Sequence, residues 1–201
     1  MTVQKTKKNL PKIPVRKYYS LKKNKLHIVL KGLLIGLCVL FLPSFNTPAI
    51  DTNAKLKAMF IYNFTRYVDW PQSYKEGNFV IGILGKSTLN TELTNFVSQG
   101  KKAGGTQPFE IKNFTSNAGI TKCHILIVSS EFAGDLGDVF NKVKSSSTLV
   151  VTEKRGMAEQ GAAINFVVHK NKQEFELNKA NAEKHDLKVS STLEKFAAKV
   201  Y

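Results

Sequence analysis

The stretch Lys57-Ala-Met-Phe-Ile-Tyr-Asn-Phe-Thr-Arg-Tyr-Val-Asp-Trp-Pro71 constrains the fold more than any other. At helical periodicity Leu56, Met59, Phe60, Phe64, Tyr67 and Val68 share one broad face, with Lys57, Thr65, Arg66 and Asp69 off it. A helix with this aromatic load must lie against a sheet. Asp51, Thr52 or Asn53 could cap its start. Pro71 ends it, because proline lacks an amide donor and disfavours the helical region for Trp70. Asn63 falls inside the apolar face, where an amide needs partners, and reads as a structural clamp or part of a site.

The net charge of +15 over 201 residues is misleading until it is located. Residues 1–50 carry ten bases and no acid (Lys5, Lys7, Lys8, Lys12, Arg16, Lys17, Lys22, Lys23, Lys25 and Lys31). The rest of the chain holds 20 bases against all 15 acids. Most of the excess therefore precedes or begins one apolar run, Ile28 to Leu42, broken only by Lys31. That asymmetry marks a membrane-targeting segment and argues against a nucleic-acid-binding domain. The run is short for a bilayer span of about 20 residues and suits a signal-peptide core of ~7–15. Thr47 and Ala49 make a poor cleavage site and the basic lead is long, so an uncleaved anchor through residues 28–42 stays open. In either case the basic side is expected to stay in the cytoplasm and residues from about 50 onward to be exported.

Leu37 before Cys38 is too bulky for a lipoprotein cleavage motif. Cys123 is then the only thiol of the exported part, so that part is expected to fold without an intrachain disulfide. With no base nearby in sequence, Cys123 reads as a small buried hydrophobe.

Residues 1–27 read as a disordered basic lead and 43–53 as a tether, which makes one domain of 51–201. Phe79-Val-Ile-Gly-Ile-Leu84 and His124-Ile-Leu-Ile-Val-Ser129 are continuous apolar runs, the pattern of strands buried on both faces. Pro108 to Phe114 alternates as a half-exposed strand, and Ser147 to Thr152 is a third short apolar strand. Thr88 to Ser98 and Phe132 to Lys144 have helical spacing, while Lys101 to Gln107 reads as a loop. Ala163 to Val168 and Glu174 to Leu177 form a hairpin at the sheet edge around a polar turn, His169 to Gln173. Lys179 to Lys184 makes a turn or two of helix. Ser191-Thr-Leu-Glu194 has capping-box spacing, opening a last helix with Leu193, Phe196, Ala197 and Val200 inward. The expected fold class is α/β: a single-domain sandwich, a mixed and mostly parallel sheet with helices on both faces and an antiparallel edge hairpin.

Few residues suggest chemistry. Gly82-Ile-Leu-Gly-Lys-Ser87 resembles a phosphate loop only in part, since just two residues separate its glycines. A weak anion site from the amides after Gly85 survives that comparison. His27, His124, His169 and His185 have no metal-site spacing, and Cys123 and His124 point to opposite faces of a strand. No nucleophile turn or forced carboxylate pair is present. Glu153, Glu159, Lys154 and Arg155 read as a solvated loop.

The segment 57–71 also resembles the signature of the YfiR/HmsC-like family of exported bacterial proteins. The likeness continues through Phe79-Val-Ile-Gly-Ile-Leu-Gly85, Cys123-His-Ile-Leu-Ile-Val-Ser129, Leu149-Val-Val-Thr-Glu153, Gly156-Met-Ala and Gly161-Ala-Ala-Ile-Asn-Phe166. It ends with Phe175-Glu-Leu-Asn178 and Leu187-Lys-Val-Ser-Ser191, and so covers nearly all of 54–201. The resemblance implies a periplasmic α/β domain without enzymatic activity or cofactor. It also implies a role in repressing a membrane-bound diguanylate cyclase, lowering cyclic di-GMP and biofilm formation. Family members often dimerise and some carry disulfides; here Cys123 lacks an intrachain partner. Tyr62, Trp70 and Pro71 would pack, and Gly82 and Gly85 would let the chain approach closely.

Two functions follow as expectations. One is a regulator that binds an inner-membrane diguanylate cyclase or sensor kinase, alone or as a homodimer. The other is a periplasmic small-ligand sensor or solute-binding domain with a pocket near the strand ends. A cyclase or kinase gene beside this one favours the first, a transporter gene the second. The loop around Met157 and the segment from Leu187 to Leu193 are the candidate partner-binding residues.

Overall fold

Continuous apolar runs force the centre of the molecule, because a strand with branched side chains on both faces must be covered on both. The computed structural model describes residues 52–201. The basic lead, the apolar run 28–42, Cys38 and the tether as far as Asp51 lie outside the described residues. No helix among the described residues is long and apolar enough to cross a membrane.

In chain order, α1 (Thr52–Tyr67) runs into β1 (Val68–Asp69), then β2 (Phe79–Leu84), α2 (Leu89–Ser98), β3 (Lys102–Ala103) and β4 (Gln107–Phe114). There follow β5 (Ile125–Val128), α3 (Leu136–Val143), β6 (Leu149–Thr152), β7 (Ile164–His169) and β8 (Lys172–Leu177). The chain closes with α4 (Lys179–Glu183), β9 (Lys188–Val189), α5 (Ser191–Phe196) and β10 (Lys199–Val200). Eight strands form one sheet in the order β10-β8-β7-β6-β5-β2-β4-β3, and β1 pairs with β9 apart from it. Pairing is parallel except for β7 with β8 and β4 with β3. The fold is thus the expected mixed, mostly parallel α/β sandwich.

Alternate residues of the central strands feed two cores. Ile125 and Ile127 join Ile81, Ile83, Leu149 and Val151 under α1, α2 and α5. Leu126 and Val128 join Leu84, Val150 and Cys123 under α3. A β-carbon at Gly82 would lie 2.7 Å from the Phe114 ring, so the close approach of β2 to β4 depends on that glycine.

Several expectations need correction. The α1 helix stops at Tyr67, four residues short of Pro71, because Val68 and Asp69 peel off to pair with Val189 and Lys188. Its buried face is Ala54, Ala58, Ile61, Phe64 and Thr65, continued by Val68 of β1, while Leu56 and Met59 are exposed. Small residues let the helix sit close to the sheet, and the bulky ones flank it. Thr65 is anchored, donating to Tyr62 O at 2.8 Å and accepting from Gly104 N at 3.2 Å. Asn63 is only half-buried and clamps nothing among the described residues.

The helix expected over 132–144 is a 3-10 turn, Ser130–Phe132, followed by the shorter α3. The expected 101–107 loop contains β3. The β7–β8 hairpin turns on Lys170 and Asn171, both at positive φ, yet it is not outermost, because β10 adds parallel to β8. The last helix therefore ends at Phe196, which is exposed along with Val200. Its cap is Ser190, whose side chain accepts from Leu193 N, rather than Ser191.

Candidate functional site

The segment after α1 lines open grooves on the described surface. Where Val68 and Asp69 leave the helix, Ser190 N donates to Tyr67 O at 2.9 Å, which fixes β9 against the helix end. Trp70 then turns inward, donating from Nε1 to His124 O at 3.3 Å and meeting the Phe79 ring edge-on at 5.0 Å. Pro71 opens a 3-10 turn, Gln72–Tyr74, that buries Tyr74. The Tyr74 carbonyl receives Gln107 Nε2 at 3.0 Å, and its hydroxyl accepts from Ser147 N at 3.0 Å.

His124 is the hub of this strap. Its Nε2 lies 2.7 Å from Tyr74 O and its Nδ1 accepts from Val80 N at 3.0 Å, while its ring stacks on Phe79 at 4.2 Å. These partners fix the neutral tautomer with the proton on Nε2, since Nδ1 already accepts. Burial, more than any other influence, holds its pKa below the ordinary imidazole value. Its neighbour Cys123 faces the other core, where burial pushes the thiol up to about 12 and leaves it unreactive.

Two open grooves flank the β1–β9 pair. One, of about 500 Å³, lies between Asp69-Trp70-Pro71-Gln72 with Lys75 and the stretch from Glu183 at the end of α4 through Asp186 to Lys188 of β9. The other, of about 480 Å³, runs over Arg66, Tyr67, Gly104 and Ser190. Asp69 and Lys75 form an exposed ion pair at 2.8 Å on the rim. Asp186 holds a positive φ of 56°, an uncommon state for a side-chain-bearing residue, at the turn that starts β9. The rim carries mixed charge over a partly apolar floor. Among the described residues no group of three His, Cys, Asp or Glu is placed to hold a metal ion.

The candidate partner-binding residues lie elsewhere than on an open face. Met157 is 4% exposed in the second core, and Leu193 and Leu187 are each 1% exposed in the first. Leu187 lines the first groove, but its side chain belongs to the core. The Met157 loop is clamped by Asn178 Nδ2 and Asn181 Nδ2, which donate to Ala158 O at 2.9 and 3.2 Å. Of the groove residues, Lys188 lies in the segment 187–193 that the sequence pointed to, whereas Arg66, Asp69, Lys75 and Asp186 were not singled out; the one available signal for them was the charged surround of Trp70-Pro71. Glu153 also differs from its solvated reading, pairing with Lys57 at 2.9 Å in a largely buried bridge.

No curated protein matches the sequence. Among solved structures, the chain is similar to an ABC domain in complex with L-Trp from Streptococcus pneumonia. The TM-score is 0.51 at 16% identity, covering 74% of this chain and 60% of that one. A conserved domain protein from Vibrio cholerae O1 biovar eltor follows with a TM-score of 0.49 and 11% identity, again over 74% and 60%. The chain thus spans about 60% of the length of those structures, and the likeness to the first is one of fold. A family model described as YfiR/HmsC-like matches residues 54–198, which takes in the strap, both grooves and every strand of the main sheet up to β8. The chain belongs to the YfiR/HmsC-like family.

Proposed function

We propose that the chain is a non-enzymatic periplasmic regulator that binds a membrane-bound signalling protein, a diguanylate cyclase, and holds its activity down. The observation that carries this reading is the family match over residues 54–198, which supports a periplasmic regulatory role in general. The strap and its grooves favour binding as the mode of action. A repressor needs only a difference in affinity between two states of its partner; a ligand that binds both states equally shifts nothing. Grooves of about 500 and 480 Å³ beside exposed Arg66 and Lys188 offer a surface on which such a difference can be built.

The test is affinity capture of membrane proteins by the exported domain, with an Arg66→Glu, Lys188→Glu variant beside it. A cyclase captured by the wild-type domain and lost with the variant supports the reading. Capture of a sensor kinase keeps the regulator and changes its target. Failure to retain any membrane protein counts against it and favours the second reading, a small-ligand sensor. The latter draws on the fold likeness to a domain solved with L-Trp.

A further inference from the structure

A second feature sits at the opposite ends of the same strands. From the gap between β2 and β5 the chain moves outward in both directions, β2 on to β4 and β5 on to β6. Ligands of open α/β sheets bind outside the carboxyl ends of the strands at such a switch point. Here β2 ends at Leu84, Gly85 turns at φ +84°, and α2 begins after Thr88, which makes no side-chain cap. Leu89 N donates to Ser87 Oγ at 3.2 Å and Asn90 N to Ser87 O at 3.3 Å. The amides of Ser87 and Thr88 reach no acceptor among the described residues.

Two oxygens from the β5 side converge on this turn. The Ser129 Oγ, on a residue 2% exposed, has no hydrogen-bond partner among the described residues. It is aimed at Gly85, where it crowds the position of a β-carbon together with the Glu131 carboxylate and the Phe132 ring. Glu131 Oε1 accepts from Lys86 N at 2.6 Å. A buried hydroxyl without a partner is costly, and an anion at a helix start is favourable; the two features complement each other.

We propose that the Gly85–Thr88 turn is a binding site for the oxyanion head group of a small solute, and that Glu131 is its internal competitor. The carboxylate occupies the Lys86 amide as a ligand's phosphate or carboxylate group would. It lies on an exposed 3-10 turn, Ser130–Phe132, and can swing out without disturbing either core. A ligand oxygen in its place would take the Lys86 amide, reach the open Ser87 and Thr88 amides and accept from Ser129 Oγ. The exposed Lys86 ammonium adds charge beside the turn. Gly85 is obligatory on both counts, its positive φ and the crowding at its α-carbon. Such a site would give the domain a chemical input separate from the strap, which lies at the amino ends of these strands. It stands independently of the regulatory reading.

The test is titration of the full-length protein with inorganic phosphate, and separately with acetate, following the backbone amide signals of Lys86, Ser87 and Thr88. Saturable shifts confined to this turn are expected. Glu131→Ala should tighten binding by about tenfold, the worth of one charge-assisted hydrogen bond freed for the ligand. Adding Ser129→Ala should weaken it again by about as much. Saturation by phosphate alone assigns a phosphate ligand, and by acetate alone a carboxylate. If Glu131→Ala loses its native spectrum, Glu131→Gln carries the same test with the charge removed. An open variant that keeps the wild-type melting temperature and shows no saturable shift with either anion overturns the proposal, as does affinity indifferent to Ser129.

Discussion

Replacing Phe64 and Met59 separately with alanine tests how α1 is seated, because both look alike in the sequence. Phe64 is 0% exposed and its ring meets Phe175 edge-on at 5.1 Å and Phe166 at 6.3 Å. Truncating a buried phenylalanine costs about 3–5 kcal/mol, through lost transfer energy and the cavity left behind. The two aromatic contacts, each worth ~0.5–1.5 kcal/mol beyond burial, place Phe64→Ala in the upper half of that range. Met59 is 50% exposed, so its truncation should stay within about 0.5 kcal/mol. The assay is equilibrium urea unfolding followed by the fluorescence of Trp70, the chain's single tryptophan and a buried one. The midpoint should fall for Phe64→Ala with an unchanged slope, which isolates stability from compactness. A loss under about 1 kcal/mol for Phe64→Ala, or equal losses for both, would refute the observed helix face.

Acid should weaken the strap through His124. The folded state holds its pKa low, so the unfolded chain takes up a proton that the folded one refuses; stability is level above about pH 6.5 and falls below it. Thermal melts across pH 5–8, taken as a rough window around the imidazole range, should flatten in His124→Asn. Glu153→Ala should cost about 1–3 kcal/mol, because it leaves the Lys57 ammonium, 18% exposed, without its 2.9 Å partner. Replacing both by apolar residues should recover part of that loss, read from a double-mutant cycle. A reporter fused after Tyr201 should be active only as a periplasmic type; cytoplasmic activity would refute export by residues 1–50.

What the sequence made legible follows from the range of the forces involved. Strands β2, β5 and β6 were readable because their unbroken apolar runs are only four to six residues long and are bounded by polar turns, the pattern of a strand buried on both faces. The face of α1 was read correctly at Phe64 and Val68 but misplaced at Leu56 and Met59, because these, with Phe60 and Tyr67, outweigh Ala54 and Ala58 in any hydrophobic count, whereas close packing on a sheet favours small residues. The last turn was read as helix from the spacing of Ala197 and Val200, yet the free edge of β8 draws it out. Ala198 N donates to Phe175 O at 2.8 Å and Tyr201 N to Leu177 O at 2.9 Å. Strands of two residues, such as β1 and β9, carry no periodicity. Their pairing across 120 residues places Asp69 beside Lys188, and no local pattern announces it. Sequence separation also hides the bridge from Lys57 to Glu153 and the hold of His124 on Tyr74 and Val80.

Cellular cyclic di-GMP tests the regulatory reading most directly. It should be measured after deletion of the gene and after complementation with wild type or with the Arg66→Glu, Lys188→Glu variant, both positions being exposed on the strap grooves. Deletion should raise cyclic di-GMP and surface attachment, wild type should restore both, and the variant should fail to do so while melting at the wild-type temperature. Unchanged cyclic di-GMP with normal attachment after deletion would contradict repression of a diguanylate cyclase.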